Sequence, residues 1–460
     1  MSKSIKSALS LDDPVEHKGD LDVEESSREE RDLEQGSKDE KQDDQCVAAP
    51  ETISPWHPSQ FPDGGKDALL CLLGTFCCLF CSFGWLNCIG VFQTYYQTHQ
   101  LSEYSPDTVA WISSCEIFVM FIPGPIVGFV FDNHGPKWLL VFGTFFHVFG
   151  IMMTSLCTEY YQFVLAQGIV SPLGLNCIFT AATSSVTTWF LKKRGAAFGI
   201  MAAGSGLGGV IFPVMTNQLM PRVGFGWTMR ICGFLILFLL GVAFLTVKSR
   251  LPPKPRKLEL AVFQEPFKDI KWVMVTLSSF LFFMGLFVPM NFIELQAGAA
   301  GMSHHLASYL IPILNAASIF GRIIPGILAD TVGRFNMQMI MAFFAGIIVL
   351  ALALPASSNA AFIIFAALYG FASGAYVSLA PAQIAYISKV EQIGVRTGVM
   401  FSCIAFAGLA GSPIAGAIVK EDNGGFHHMT VFAGVLLLAG AAMFVVTRGV
   451  VSSWKLFVRI

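Results

Sequence analysis

Twelve apolar segments follow one another between residues 68 and 448, each long enough, or nearly so, to cross about 30 Å of hydrocarbon at about 1.5 Å per residue. They fall near 68–93, 108–131, 137–157, 161–188, 195–219, 229–247, 271–294, 305–328, 335–355, 360–386, 395–419 and 428–448. Inside hydrocarbon the backbone finds no water to bond, so each segment must satisfy its own groups and is predicted to be a helix. The stretch before the first segment has the opposite character. Residues 1 to about 54 are rich in Asp, Glu, Ser, Lys and Gln and nearly devoid of aromatics. Such a composition buries too little apolar surface to offset the entropy of ordering, which predicts disorder. The pattern describes an all-α polytopic membrane protein with a disordered acidic N-terminal tail.

Composition agrees: of 460 residues 54% are hydrophobic and only 13% charged, which excludes an ordinary soluble domain. The net charge of -2 hides an asymmetry, because residues 1–67 carry 8 Lys/Arg against 18 Asp/Glu and the rest of the chain 21 against 13. The positive charge of the body sits in short gaps between apolar runs, a sign of topology and not of nucleic-acid binding. No short apolar segment with a small-residue cleavage site precedes the first run, so that run is expected to be retained as the targeting signal, with the head in the cytoplasm. On that assignment 17 Lys/Arg of the loops and C-terminal tail lie inside and 3 (Arg222, Arg230 and Lys420) outside, placing both termini in the cytoplasm. Arg222 and Arg230 are the exceptions and point to a misplaced boundary. Ser26 and Ser27, among glutamates, are either a solvated spacer or modification sites. The 11 cysteines fall mostly inside apolar runs, Cys78 and Cys81 as C-x-x-C, and read as small membrane-embedded side chains, not as a disulfide framework or a metal site.

The chain repeats itself. G-F-V-F-D-N-H-G-P-K after span 2 places Gly128, Asp132, Gly135 and Lys137 as G-I-L-A-D-T-V-G-R-F after span 8 places Gly326, Asp330, Gly333 and Arg334, with Gly, Asp and Gly at one offset of 198 residues. Arg194 and Pro213 are echoed more loosely by Arg396 and Pro413. Two six-helix halves follow. The expected organisation is a tail at 1–67, a first half at 68–248, a central cytoplasmic loop at 249–270, a second half at 271–450 and a cytoplasmic tail at 451–460. Gly128 and Gly326 would let helices approach closely, Asp132 and Asp330 would accept bonds from a helix N-terminus or a basic residue, and Gly135 and Gly333 would allow a tight turn. Such a motif is a latch that breaks and remakes, or else a static turn.

The doubled G-x-x-x-D-x-x-G followed by Lys or Arg resembles the signature of the major facilitator superfamily. Further wording narrows the resemblance: P-D-G-G at Pro62–Gly65, the run from Trp189 to Gly209, F-F-M-G-L-F-V-P around Gly285 and Pro289, and L-N-A-A-S-I-F-G-R-I-I-P-G-I-L-A-D from Leu314 to Asp330. Together these look like the monocarboxylate porter family, in its fungal branch, from about Phe61 to the end. The glycines at 199, 204, 206, 208 and 209 read first as close packing and second as a mobile gate. Lys192, Lys193 and Arg194 before them read as positive-inside anchors.

Arg322 stands alone deep in the eighth apolar segment. A charge at that depth faces a partner or a watery cavity, and a guanidinium can grip a carboxylate with two bonds. The resemblance implies that the arginine at this place binds anionic substrate; the plain alternative is a structural ion pair. Glu116, in span 2, is either a proton carrier or a hydrogen-bonded packing residue. Glu294 and His147 are weaker candidates. Ser318 and Asn87 stand where animal lactate carriers of the family have Asp and Lys, which puts proton-coupled lactate transport in doubt and leaves Arg322 as the anion anchor. Asn87, Asn291, Asn315 and Phe283, with Trp85 and Tyr376, are candidates to line a larger cavity.

The expected function is secondary transport of organic anions of monocarboxylate type, proton-coupled, by alternating access at the plasma or vacuolar membrane. Efflux of a secondary metabolite and nutrient sensing without transport are the alternatives. The expected partners are a small organic acid, protons and the lipid bilayer, with no nucleic acid, no cofactor and no metal. The sequence holds no phosphate-binding loop and no pairing of nucleophile with base, so neither ATP-driven pumping nor catalysis is expected.

Overall fold

The structure is a computed structural model that describes residues 60–104, 106–252, 259–455 and 458–459. The acidic head through residue 59, with Ser26 and Ser27, and the middle of the central loop at 253–258 lie outside the described residues. What is described is helical, with no strand.

Eleven apolar helical segments are long enough to cross a membrane, and the longest, Arg194–Thr246, has 53 residues. At about 1.5 Å per residue that is more than twice the hydrocarbon thickness. It turns at Gly224, whose φ of 77° and ψ of 168° are non-helical, and so supplies two spans. A side chain would resist that dihedral, and Gly takes it freely. Twelve spans result: α1 Lys66–Thr98, α2 Thr108–His134, α3 Pro136–Thr154, α4 Tyr160–Trp189, α5 (194–223), α6 (225–246), α7 Ile270–Ala299, α8 His304–Val332, α9 Arg334–Ala353, α10 Asn359–Ile387, α11 Val390–Glu421 and α12 His427–Ser452.

Two boundaries differ from those expected. The loop foreseen between spans 5 and 6 shrinks to the turn at Gly224, which puts Arg222 and Arg230 on helix. The Arg230 guanidinium lies 5.1 Å from the Trp227 ring centroid and donates from Nε to Ser155 Oγ at 3.2 Å. Of the N-terminal tail expected to run to residue 67, residues 60–67 are described and packed against the bundle. Phe61 is buried, Asp63 N–H donates to the Trp189 carbonyl at 3.3 Å, and α1 starts at Lys66. The backbone can turn there because Asp63, Gly64 and Gly65 all have positive φ.

Helices α1–α6 and α7–α12 form the two halves of the fold, which meet where α5 lies along α8 and α2 along α11. Small residues make both contacts possible. A Cβ built on Gly326 of α8 would lie 2.7 Å from the Gly195 carbonyl oxygen and 3.0 Å from Gly199 Cα, and one on Gly128 of α2 would collide with the Gly394 carbonyl. The α5 glycines work on two faces: Gly199 and Gly206 abut α8 at Arg322, whereas Gly204 and Gly208 abut α1 at Phe76 and Phe80. On the periphery, Trp138, Phe142, Phe145 and Phe149 of α3 stay exposed, as an apolar solvent permits.

Candidate functional site

Between the halves lies a cavity of about 580 Å³, its opening included. Phe83 of α1 and Phe179 of α4 line it from one half, and Phe283, Phe287, Tyr376 and Phe401 from the other. Phe283 packs edge-on to Phe287 at 5.1 Å and to Phe121 at 5.9 Å, which fixes its ring at the wall. Into this apolar surround α8 brings Ser318 and Arg322, four residues apart and therefore on one helix face. Arg322 is buried, and its Nη1 donates across the interface between the halves to the Ala202 carbonyl at 2.9 Å and to Ser205 Oγ at 2.5 Å, both on α5. Among the described residues its Nε has no partner, nor does Ser318 Oγ. No carboxylate pairs with Arg322 among the described residues. Unpaired buried donors at the wall of an apolar cavity suit a ligand that brings acceptors.

The other expected binding residues divide. Asn87 and Phe283 line the cavity with Arg322. Asn315 lies buried near Gly209, where a Cβ would come within 2.7 Å of Asn315 Oδ1 and 2.6 Å of Asn87 Nδ2, so two amides from opposite halves converge on that glycine. Asn291 is not part of the group; it is exposed and donates to Ser412 Oγ at 2.8 Å, a bond between α7 and α11. Trp85 packs against Phe92, Phe212 and His147 as core.

Glu116 is fully buried but away from this cavity. Gln167 Nε2 donates to Glu116 Oε2 at 3.0 Å, and Tyr96 OH donates to Gln167 Oε1 at 2.6 Å. Gln167 sits in a π-helical stretch, Val164–Val170, whose widened turn carries it into the bundle. Glu116 Oε1 has no partner among the described residues. His147 bonds Ser171 Oγ through Nδ1 at 2.9 Å, the packing role expected of a lone buried His.

The doubled motif forms two closed latches related by the repeat. Asp330 accepts from Gly195 N–H at 2.8 Å and Ala196 N–H at 2.9 Å, the unsatisfied donors of the first turn of α5. Asp132 accepts from Val395 N–H at 3.1 Å, near the start of α11. Gly135 and Gly333 have φ of 76° and 108°, as the turn reading required. The basic residues differ: Arg334 bonds Asp330 at 3.4 Å and the Leu191 carbonyl at 3.2 Å, whereas Lys137 is exposed. Asp63, missed as a functional residue although its motif stood out, accepts from Leu191, Lys192 and Lys193 N–H at 2.7, 2.8 and 3.0 Å. Arg194, unlike the exposed Lys192 and Lys193, is buried at 2% exposure.

These features define a two-half carrier, shut at the latch end around a mid-membrane cavity. The sequence pattern of the Major Facilitator Superfamily matches residues 75–360 and 275–456, and the chain belongs to that superfamily. It is 52% identical over 409 residues to an MFS-type transporter of Ophiocordyceps sp., covering 89% of this chain and 91% of that protein. It is 44% identical over 393 residues to the fujikurins efflux protein of Gibberella fujikuroi, covering 85% and 84%. A crystal structure of a bacterial homologue of the iron transporter ferroportin in its outward-facing state superposes with a TM-score of 0.67 at 13% identity, over 84% of this chain and all of that one. A multi-pass membrane transporter of this superfamily is what the family match and the relatives indicate.

Proposed function

We propose that this carrier exports a mid-sized, largely apolar organic metabolite bearing an acidic or carbonyl acceptor, by alternating access, with its latch end in the cytoplasm and the plasma membrane as its site. The observation that carries the reading is the cavity itself: aromatic walls from both halves around one guanidinium whose Nε is unpaired among the described residues. The efflux role of the relative from Gibberella fujikuroi supports the direction. The structure described here, shut at the latch end, would then be the outward-facing state.

A small monocarboxylate moved with protons, the cargo that the monocarboxylate porter resemblance implies, is the second reading. Arg322 favours it, since a guanidinium suits a carboxylate; the breadth of the apolar wall favours the larger cargo. Efflux from a transporter-deficient yeast loaded with a panel of aromatic polyketide-like acids and simple monocarboxylates, with and without Arg322→Gln, separates the two. Loss of a charge-assisted bond of about 1.5–3 kcal/mol should weaken apparent affinity roughly 10- to 150-fold. Transport of simple monocarboxylates alone would replace the export reading. Movement of neither class by protein that reaches the membrane would leave sensing, which deletion of residues 1–54 would then probe.

A further inference from the structure

Arg194 opens α5 as the last of three consecutive basic residues. Lys192 and Lys193 are exposed, whereas Arg194 is buried. Its guanidinium makes three bonds, all to backbone carbonyls: Nε to Phe190 at 2.9 Å, Nη2 to Thr187 at 3.2 Å and Nη1 to Ala385 at 3.0 Å. Thr187 lies in the last turn of α4 and Phe190 just past its end, while Ala385 lies in the last turn of α10. A cation therefore sits where the C-termini of two helices from opposite halves converge, with their orphan carbonyls and the negative ends of their dipoles facing it. A planar fork with five donors spans such carbonyls as an ammonium cannot.

The repeat supplies an internal comparison. Arg396, the counterpart near the start of α11, pairs with Asp269 of its own half, and its Nε has no partner among the described residues. Of this repeat-related pair, Arg194 alone bonds carbonyls of both halves among the described residues. The segment around Arg194 is also the most heavily held part of this end: Asp330 binds the two residues after it, Arg334 the Leu191 carbonyl and Asp63 the amides of 191–193.

We propose that Arg194 is the inner gate of the transport path, a guanidinium staple between the ends of α4 and α10 whose bond to Ala385 exists only while the latch end is shut. It is a positioning residue: it touches no cargo and sets the balance between the two access states. The proposal rests on alternating access but not on the cargo, and its test needs no cargo.

Thr183, buried one turn inside Thr187 on α4, is replaced by Cys, and its reaction with a membrane-impermeant maleimide is timed in inside-out vesicles, with the protein's own cysteines subtracted by parallel labelling of the parent. Arg194→Gln should speed labelling about tenfold or more, Arg194→Lys should give an intermediate rate, and Arg396→Gln should leave the rate unchanged. A Cys at Ser278, buried between α7 and α12 within one half, should stay unreactive in all of them. Equal Thr183→Cys rates with and without Arg194→Gln would overturn the proposal, as would parallel increases at positions 183 and 278, which mark general loosening. If Arg194→Gln does not reach the membrane, Arg194→Lys is decisive: protection equal to wild type refutes the staple.

Discussion

Gly326→Ala adds one methyl group where two helices from opposite halves touch by backbone. The new Cβ would lie 2.7 Å from the Gly195 carbonyl oxygen and 3.0 Å from Gly199 Cα. Ordinary contact begins about 0.4–0.7 Å farther out, and because the obstructing atoms are backbone, no rotamer change relieves the clash. Helices α5 and α8 must part, at a cost of about 1–3 kcal/mol by comparison with other overpacked contacts. The cost falls only on the state in which the latch end is shut, so the equilibrium between access states should move toward opening by about 5- to 150-fold. Spin labels on the exposed Lys137 and Lys389 positions, read as a distance distribution, should show a new longer component. Gly321→Ala is the control. Its Cβ would collide with the Phe371 carbonyl of α10, inside one half, so it should lower the unfolding temperature and leave the distribution alone. A Gly326→Ala protein that loses stability with an unchanged distance distribution would refute the argument that this glycine contact belongs to one state.

Asp63→Asn keeps the shape of the acceptor and removes its charge, so amide exchange at Leu191, Lys192 and Lys193 should speed up by about 5- to 10-fold, worth about 1 kcal/mol, as read by mass spectrometry. Gln167→Leu leaves both Glu116 and Tyr96 without their bonds and should cost about 2–4 kcal/mol in detergent unfolding, whereas Glu116→Gln should cost less than about 1 kcal/mol. If Glu116 couples transport to protons, Glu116→Gln should abolish acceleration by an imposed pH gradient while counterflow of cargo continues; a gradient response equal to wild type would remove Glu116 from coupling. Phe283→Ala should enlarge the cavity and raise the efflux of bulkier cargo relative to smaller, measured as a ratio within one strain.

The spans were legible because hydrocarbon imposes a length and a polarity that no neighbour can alter, and the expected segments match the helices to within a few residues apart from the turn at Gly224. The latches were legible because Gly, Asp and Gly must recur at fixed offsets to bring a carboxylate to a helix N-terminus. Arg322 was visible as a charge where none should be. Gln167 was not, since what matters about it is a π-turn, a displacement of the backbone that leaves no residue signature. Asn291 was misjudged because an amide on a membrane helix faces a cavity or a neighbouring hydroxyl with equal ease, and only packing tells them apart.

Arg194 and Arg322 escaped a full reading for a shared reason. Both are held by backbone carbonyls of the opposite half, Arg194 by Ala385 and Arg322 by Ala202 with the Ser205 hydroxyl. A carbonyl belongs to every residue, so no motif announces it. The same choice has a mechanical consequence. A carboxylate partner would neutralise the guanidinium and, buried, would be expensive to separate from it. A neutral carbonyl holds the halves together by a bond of modest strength and leaves the positive charge in place. If Arg322 anchors an acidic cargo, the cargo and the α5 contact compete for one set of donors, so occupancy of the cavity and the tie between the halves are coupled, as alternating access requires.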